Sequence, residues 1–160
     1  MRIGNGFDVH ALVEGRDLIL GGITIAHDKG LSGHSDADVL THAVMDALLG
    51  AAGMKDIGSH FPDTDCAYHN ISSLILLNAV MDKLREKDLM VEYVDAVIVA
   101  QRPKIAPYME QMKERLAAIM NISIDRINVK ATTTEHLGFT GREEGIAAQA
   151  VALLKEPQDQ

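Results

Sequence analysis

Asp8 and His10 stand two residues apart in Arg2-Ile3-Gly4-Asn5-Gly6-Phe7-Asp8-Val9-His10. If that segment is a strand, both side chains leave one face and can converge on a single ion. An exposed carboxylate beside a solvated imidazole is the plainer alternative, and the pair alone does not decide between them. His42 adds weight to the first. Val39, Ala43, Val44, Ala47 and Leu48 recur at helical spacing over 36–52, and on that helix His42 shares the face of Val39 and Leu49, which points it into protein. One carboxylate and two imidazoles suit Zn2+ or a similar divalent ion, with a fourth position open for a substrate oxygen. His34, just ahead of the helix, is either a further ligand or a phosphate contact.

Three other segments suggest an anionic ligand. Gly33-His34-Ser35-Asp36-Ala37-Asp38 reads as a helix start with Ser35 as N-cap, whose free N–H groups and partial positive charge suit a phosphate. An ordinary capped helix with an acidic first turn is the alternative, and the neighbouring histidines favour the anion site. Lys130-Ala131-Thr132-Thr133-Thr134-Glu135, followed by Gly138-Phe139-Thr140-Gly141-Arg142, ends a strand with three hydroxyls and a carboxylate between two cations. Threonine runs are common in plain strands; here the flanking Lys130 and Arg142 suit phosphate oxygens, and Glu135 suits a second divalent ion. Ala100-Gln101-Arg102-Pro103-Lys104-Ile105-Ala106-Pro107 connects a strand to a helix and offers backbone groups to a base and Lys104 to a phosphate. Neither a P-loop nor a dinucleotide fingerprint occurs, so any phosphate pocket is built otherwise.

The elements that must position these residues follow from periodicity. The opening segment alternates as a strand, with Gly4 and Gly6 marking close backbone approach. Leu18–Leu20 and Ile23–Ile25 flank Gly21-Gly22 as a hairpin. A loop follows the first helix from Gly53 to Asp65, and a second helix begins at Ser72 or Ser73, with Leu74, Leu77, Val80, Met81 and Leu84 on one face. Segment 91–101 reads as a central strand. Pro107 is placed in the first turn of a third helix, with Met109, Met112, Leu116, Ile119 and Met120 as its apolar stripe. Segments 126–134 and 144–154 complete the order as strands.

The fold class expected is α+β, a mixed β-sheet with helices packed on one face. The last strand runs from Ile146 to Leu154 almost without a polar break, so its second face needs a cover that three helices cannot supply. A homo-oligomer with sheets facing inward is expected.

Composition bounds the rest. The 160 residues, 47% hydrophobic and 24% charged, describe a single domain over 1–160 that needs neither disulfide nor metal to fold, with 156–160 as a loose tail. No apolar stretch reaches the roughly 18 residues of a membrane span and the start lacks a signal-peptide core, so a soluble, cytoplasmic protein is expected. With 15 Lys+Arg against 23 Asp+Glu, the net charge of -8 argues against nucleic acid and membrane surfaces as partners. The lone Cys66 cannot form an intrachain disulfide and receives no role.

The dense runs resemble the 2-C-methyl-D-erythritol 2,4-cyclodiphosphate synthase family over essentially the whole chain. They are 2–10, Ser35-Asp36-Ala37-Asp38-Val39 with His42 and Asp46 through Gly50, Asp56-Ile57-Gly58, Phe61-Pro62-Asp63-Thr64-Asp65, 128–135 and 138–147. The resemblance implies cyclisation of 4-diphosphocytidyl-2-C-methyl-D-erythritol 2-phosphate with release of CMP, in the non-mevalonate isoprenoid pathway. It implies Asp8, His10 and His42 as Zn2+ ligands, and Mg2+ or Mn2+ on the substrate diphosphate near Glu135. His34 and Thr133 match catalytic positions, with Ser35, Thr132 and Thr134 among the phosphate-binding residues. Asp56, Ile57, Gly58 and Phe61, Pro62, Asp63, Thr64, Asp65 match the sugar region. Ala100, Gln101, Arg102, Pro103, Lys104, Ile105 and Ala106 match the cytosine pocket. A homotrimer with active sites between subunits is implied, and Phe139 and Arg142 match a central cavity that in relatives can hold an isoprenoid diphosphate. Asn5 and the side chains of 102–106 depart from the commoner pattern, which affects base affinity at most. A ligand-holding trimer without turnover and a metal-dependent phosphohydrolase are the competing readings.

Overall fold

The computed structural model describes residues 1–156. Of the expected tail, Glu156 accepts a hydrogen bond from Arg2 Nε at 2.6 Å, and 157–160 lie outside the described residues.

Five strands form one mixed sheet in the order β4-β1-β7-β5-β6. They are β1 (Arg2–Glu14), β4 (Lys29–Leu31), β5 (Met90–Val99), β6 (Ile127–Thr132) and β7 (Gly145–Lys155). β7 is antiparallel to both β1 and β5, whereas β5 and β6 run parallel. The Gly21-Gly22 turn closes a separate ribbon of β2 (Leu18–Leu20) and β3 (Ile23–Ile25), as the sequence predicts.

The long helices are α1 (Val39–Ala51), α3 (Ser73–Arg85) and α4 (Met109–Met120); α2 (Ile57–His60) and α5 (Gly138–Gly141) are single turns. α1 is hydrophobic nearly all round, and its side chains are buried between the sheet and the other helices. Gly4 and Gly6 face it across β1. A Cβ at Gly6 would stand 2.0 Å from the Ala43 carbonyl oxygen and one at Gly4 2.2 Å from that of Ala47, so only glycine lets strand and helix approach this closely. That contact sets Asp8 and His10, two and four residues further along the same face, against the N-terminal half of α1.

Two local expectations are corrected. Pro107 lies in a 3-10 turn, Ala106–Tyr108, that precedes α4 rather than inside the helix. The N-cap of α1 is Asp38, not Ser35. The wholly buried Asp38 carboxylate accepts from Thr41 N–H (3.0 Å), Thr41 Oγ1 (2.7 Å), Gly21 N–H (2.9 Å) and Gly22 N–H (2.7 Å), tying the β2–β3 turn to the helix start. Burial pushes this carboxyl above its ordinary range against the pull of the donors. At the helix N-terminus the Thr41 N–H is therefore answered by the chain's own carboxylate.

The helices cover one face of the sheet. On the other, Ile3, Phe7, Val9, Tyr93 and Val151 stay exposed in the single chain, Ile3 to 74%.

Candidate active site

β1 brings Asp8 and His10 out on the same side, and α1 presents His42 opposite them. Asp8 Oδ2 lies 2.9 Å from His10 Nε2 and 3.0 Å from His42 Nδ1, and the two ring nitrogens are 3.2 Å apart. Among the described residues this is the one group of three such side chains whose ligand atoms all lie within 4.8 Å of one another. The other nitrogen of His10 explains its orientation. Nδ1 is 2.7 Å from the Ser32 carbonyl oxygen, which can only accept, so Nδ1 carries a proton and Nε2 faces Asp8, with a lone pair there when the ring is neutral. A carboxylate oxygen and imidazole nitrogens gathered in this way fit a divalent cation of the Zn2+ type.

Electrostatics agree. Burial pushes the Asp8 carboxyl up, but hydrogen bonds and charge from His10 and His42 outweigh it and hold the group at about 2. Burial pulls the His10 imidazole down, yet the Asp8 carboxylate and the Ser32 carbonyl raise it above its ordinary value.

The cluster opens into a cavity of about 430 Å³ that is also lined by His34, Ser35, Ile57, Gly58, Phe61, Pro62 and Asp63. The expected metal residues and most of the expected sugar residues thus share one space. His34 Nε2 lies 2.9 Å from the Asp65 carbonyl oxygen, linking the two loops. Asp56 stands at the rim as N-cap of α2, accepting from Ser59 N–H (2.8 Å) and Ser59 Oγ (2.9 Å). Thr64 continues the exposed loop and Asp65 caps the turn Cys66–Tyr68.

Several supports received no individual role from the sequence. Arg16 donates to the carbonyls of Gly33 (2.9 Å) and Ser35 (2.8 Å), gripping the peptide on both sides of His34. Asp46, one turn beyond His42, accepts from Ile57 N–H at 2.8 Å and anchors the sugar loop; burial raises its carboxyl. Ser73 and Asp36 stand behind His42. Tyr68 and Leu76 close the cavity wall. The contacts of Arg16, Asp46 and Ser73 each span at least eleven residues of sequence, beyond the reach of any periodic pattern.

A second cavity, about 610 Å³, is lined by Ala100, Gln101, Arg102, Pro103, Lys104, Ile105 and Ala106 together with Thr132 and Thr133. Ala26 and His27, which carry no motif in the sequence, also line it. The expected base loop and the threonine run therefore meet, but in a space separate from the one that holds His34. Thr132, Thr133 and Glu135 are exposed, and Glu135 adopts a left-handed backbone (φ 54°). Thr134 directs its hydroxyl to the Leu137 carbonyl (2.6 Å) and Thr140 Oγ1 (2.8 Å), which shapes the turn.

The expected cations are partly committed elsewhere. Lys130 pairs with Asp95, and Arg142 forms a fork with Glu144 at 2.9 and 3.2 Å. Lys104 lies at the second cavity with no carboxylate partner among the described residues. Phe139 is 39% exposed beside this segment. Cys66 is exposed and free.

A YgbB family model matches residues 1–155. The 2-C-methyl-D-erythritol 2,4-cyclodiphosphate synthase of Agathobacter rectalis is 60% identical over 154 residues, covering 96% of this chain and 87% of that one. Among solved structures, the bifunctional IspDF of Campylobacter jejuni superposes with a TM-score of 0.93 at 46% identity, covering 97% of this chain, which corresponds to 42% of the bifunctional one. The CDP complex of Plasmodium falciparum IspF gives 0.84 at 33% identity, over 97% of this chain and 96% of that one. Matched from end to end of its described sheet, the chain belongs to the YgbB family, that of the 2-C-methyl-D-erythritol 2,4-cyclodiphosphate synthases.

Proposed function

We propose that the protein is a 2-C-methyl-D-erythritol 2,4-cyclodiphosphate synthase, an enzyme of isoprenoid biosynthesis of the cyclising lyase type. The observation that carries this reading is the convergence of Asp8, His10 and His42 on a cavity shared with His34, Ser35 and the 57–63 loop. The substrate is 4-diphosphocytidyl-2-C-methyl-D-erythritol 2-phosphate. Its 2-phosphate oxygen bonds to the β-phosphorus, the bond from that phosphorus to the bridging oxygen breaks, and CMP leaves with the bridging oxygen.

Both reacting groups are anions, so the protein's work is to orient them in line and to offset their charge. Asp8, His10 and His42 would hold Zn2+ or a similar ion, which supplies Lewis-acid neutralisation at a phosphate oxygen. His34 and Ser35 face the same space and donate to the phosphate that reacts. Asp56, Ile57, Gly58 and 61–65 enclose the sugar. Segment 100–106 holds the cytosine by backbone groups, with Lys104 near its phosphate. Thr132 and Thr133 orient the diphosphate, and Glu135 would take part in holding Mg2+ or Mn2+, which would offset the diphosphate charge.

A single domain acts as one third of a cytoplasmic homotrimer. Support for this comes from the two separate cavities, each carrying part of the chemistry, and from the uncovered row Ile3, Phe7, Val9, Tyr93 and Val151. Apposing copies would bury that row and could bring the threonine cavity of one beside the metal cavity of the next. Phe139 and Arg142 would then line a central space able to take an isoprenoid diphosphate.

Phosphorus NMR of the purified protein with the cytidyl substrate and Mg2+ tests the reading. Cyclic diphosphate and CMP should appear together. Formation of an open phosphate would instead identify a hydrolase, and an unchanged substrate bound to protein would identify a ligand carrier.

A further inference from the structure

His42 has two ring nitrogens, and an imidazole can present a lone pair from either. Nδ1 faces Asp8 and His10, so what holds the proton on Nε2 determines whether the cluster can receive a cation. Nε2 lies 2.9 Å from Ser73 Oγ and 3.2 Å from Ser35 Oγ. A hydroxyl can donate or accept, and the surroundings of Ser73 remove that freedom. Asp36 grips Ser73 twice: its Oδ2 accepts from Ser73 N–H at 3.0 Å and its Oδ1 accepts the Ser73 hydroxyl proton through a short hydrogen bond. With that proton committed to a carboxylate, Ser73 Oγ has only lone pairs to turn toward His42. The nitrogen facing it must carry a hydrogen, so when the ring is neutral it is Nδ1 that is left with a lone pair beside Asp8.

Ser73 is also the first residue of α3, where a backbone N–H lacks a partner within the helix, and Asp36 supplies one from another segment. The side chain is fully buried and His42 is 6% exposed, so no water competes with the contact in bulk fashion. Ser35 is placed differently. Its Oγ is farther from Nε2, also accepts from Ala37 N–H at 3.2 Å, and lines the cavity, which leaves it suited to substrate.

We infer that Ser73, oriented by Asp36, is a positioning residue that holds His42 in the tautomer presenting Nδ1 to the metal site. The inference rests on the proposed metal site of Asp8, His10 and His42. It assigns a role to the start of α3, 31 residues from His42 and outside every motif of the sequence reading.

The test compares wild type, Ser73→Ala, Ser73→Thr and Ser35→Ala in two measurements. Competition with a chromogenic chelator gives the Zn2+ dissociation constant. It should weaken about 10- to 100-fold in Ser73→Ala, as loss of the group orienting a metal-bound histidine does elsewhere. Ser73→Thr should recover most of the affinity, and Ser35→Ala, which removes the farther contact of Nε2, should weaken it less than Ser73→Ala does. Nitrogen-15 NMR of the imidazoles in metal-free wild type should find His42 protonated at Nε2, with that preference lost in Ser73→Ala.

Equal Zn2+ affinity in wild type and Ser73→Ala would overturn the inference, as would a His42 whose only ring hydrogen is on Nδ1 in the metal-free wild type. If Ser73→Ala does not fold, the wild-type tautomer and Asp36→Asn, which removes the carboxylate that fixes the hydroxyl, decide by the same criteria. Failure of wild type to hold Zn2+ would sink the metal-site reading itself. The tautomer measurement would still decide what Ser73 does.

Discussion

His42 is 6% exposed and meets a partner at each ring nitrogen, whereas Thr133 is exposed and its hydroxyl meets only Glu135, by the backbone N–H at 3.3 Å and Oε1 at 3.5 Å. The same contrast runs through the two cavities. Around Asp8 the ligands are backed by Ser32, Ser73, Asp36, Arg16 and Asp46, so geometry is set before anything binds. Around Lys104 the lining is a loop and a strand end whose polar groups face outward. Under the proposed function the well-supported half is the one that holds the metal and the lightly supported half the one that holds the nucleotide, which puts precision where charge must be focused.

That contrast can be broken at either end. The largest effect is expected from His42→Ala: metal content of the purified protein and turnover should both fall to background while circular dichroism stays native. Full activity of a metal-free His42→Ala protein would remove the metal half from the chemistry. Next comes Gly6→Ala. Its Cβ, 2.0 Å from the Ala43 carbonyl, forces β1 off α1 and shifts Asp8, and thermal unfolding should report a loss of about 3 kcal/mol.

Thr133→Ala should lower kcat by about 10²-fold, the size of one lost transition-state donor, with the affinity for CDP nearly unchanged. Parallel losses in both would mean that the nucleotide half only binds. The smallest effect concerns acid. Asp8 titrates at about 2 rather than its ordinary 3.8, so its ionised form stabilises the folded state. That contribution is complete above about pH 4 and is lost as pH falls toward 2. Metal-free Asp8→Asn should therefore show a shallower stability decline over that window than metal-free wild type, and identical profiles would refute the coupling to His10 and His42.

The two halves also differed in how readable they were. Alternation on β1 and helical phase on α1 are local rules, and they suffice to aim Asp8, His10 and His42 at one another. Gly4 and Gly6 signalled close approach correctly because no side chain there could be tolerated. The N-cap was misread because Ser35, Asp36 and Asp38 all have capping chemistry. Asp38 prevails through Gly21 and Gly22, which arrive from a hairpin sixteen or seventeen residues earlier. Lys130 and Arg142 suit phosphate contacts in sequence; what spacing does not show is that strand pairing sets Lys130 beside Asp95 on β5 and that Arg142 forks with Glu144. Why His34 and Thr133 fall in separate cavities could not be read from spacing along one chain, since it depends on which surfaces remain uncovered.

The Asp38 knot has a kinetic consequence. One carboxylate holds the amides of Gly21, Gly22 and Thr41, so a six-residue ribbon that would otherwise fray is fastened to the most deeply buried helix of the molecule. Those three amides should exchange with solvent in a single cooperative opening, at the slow rate of the helix rather than the fast rate of a surface turn.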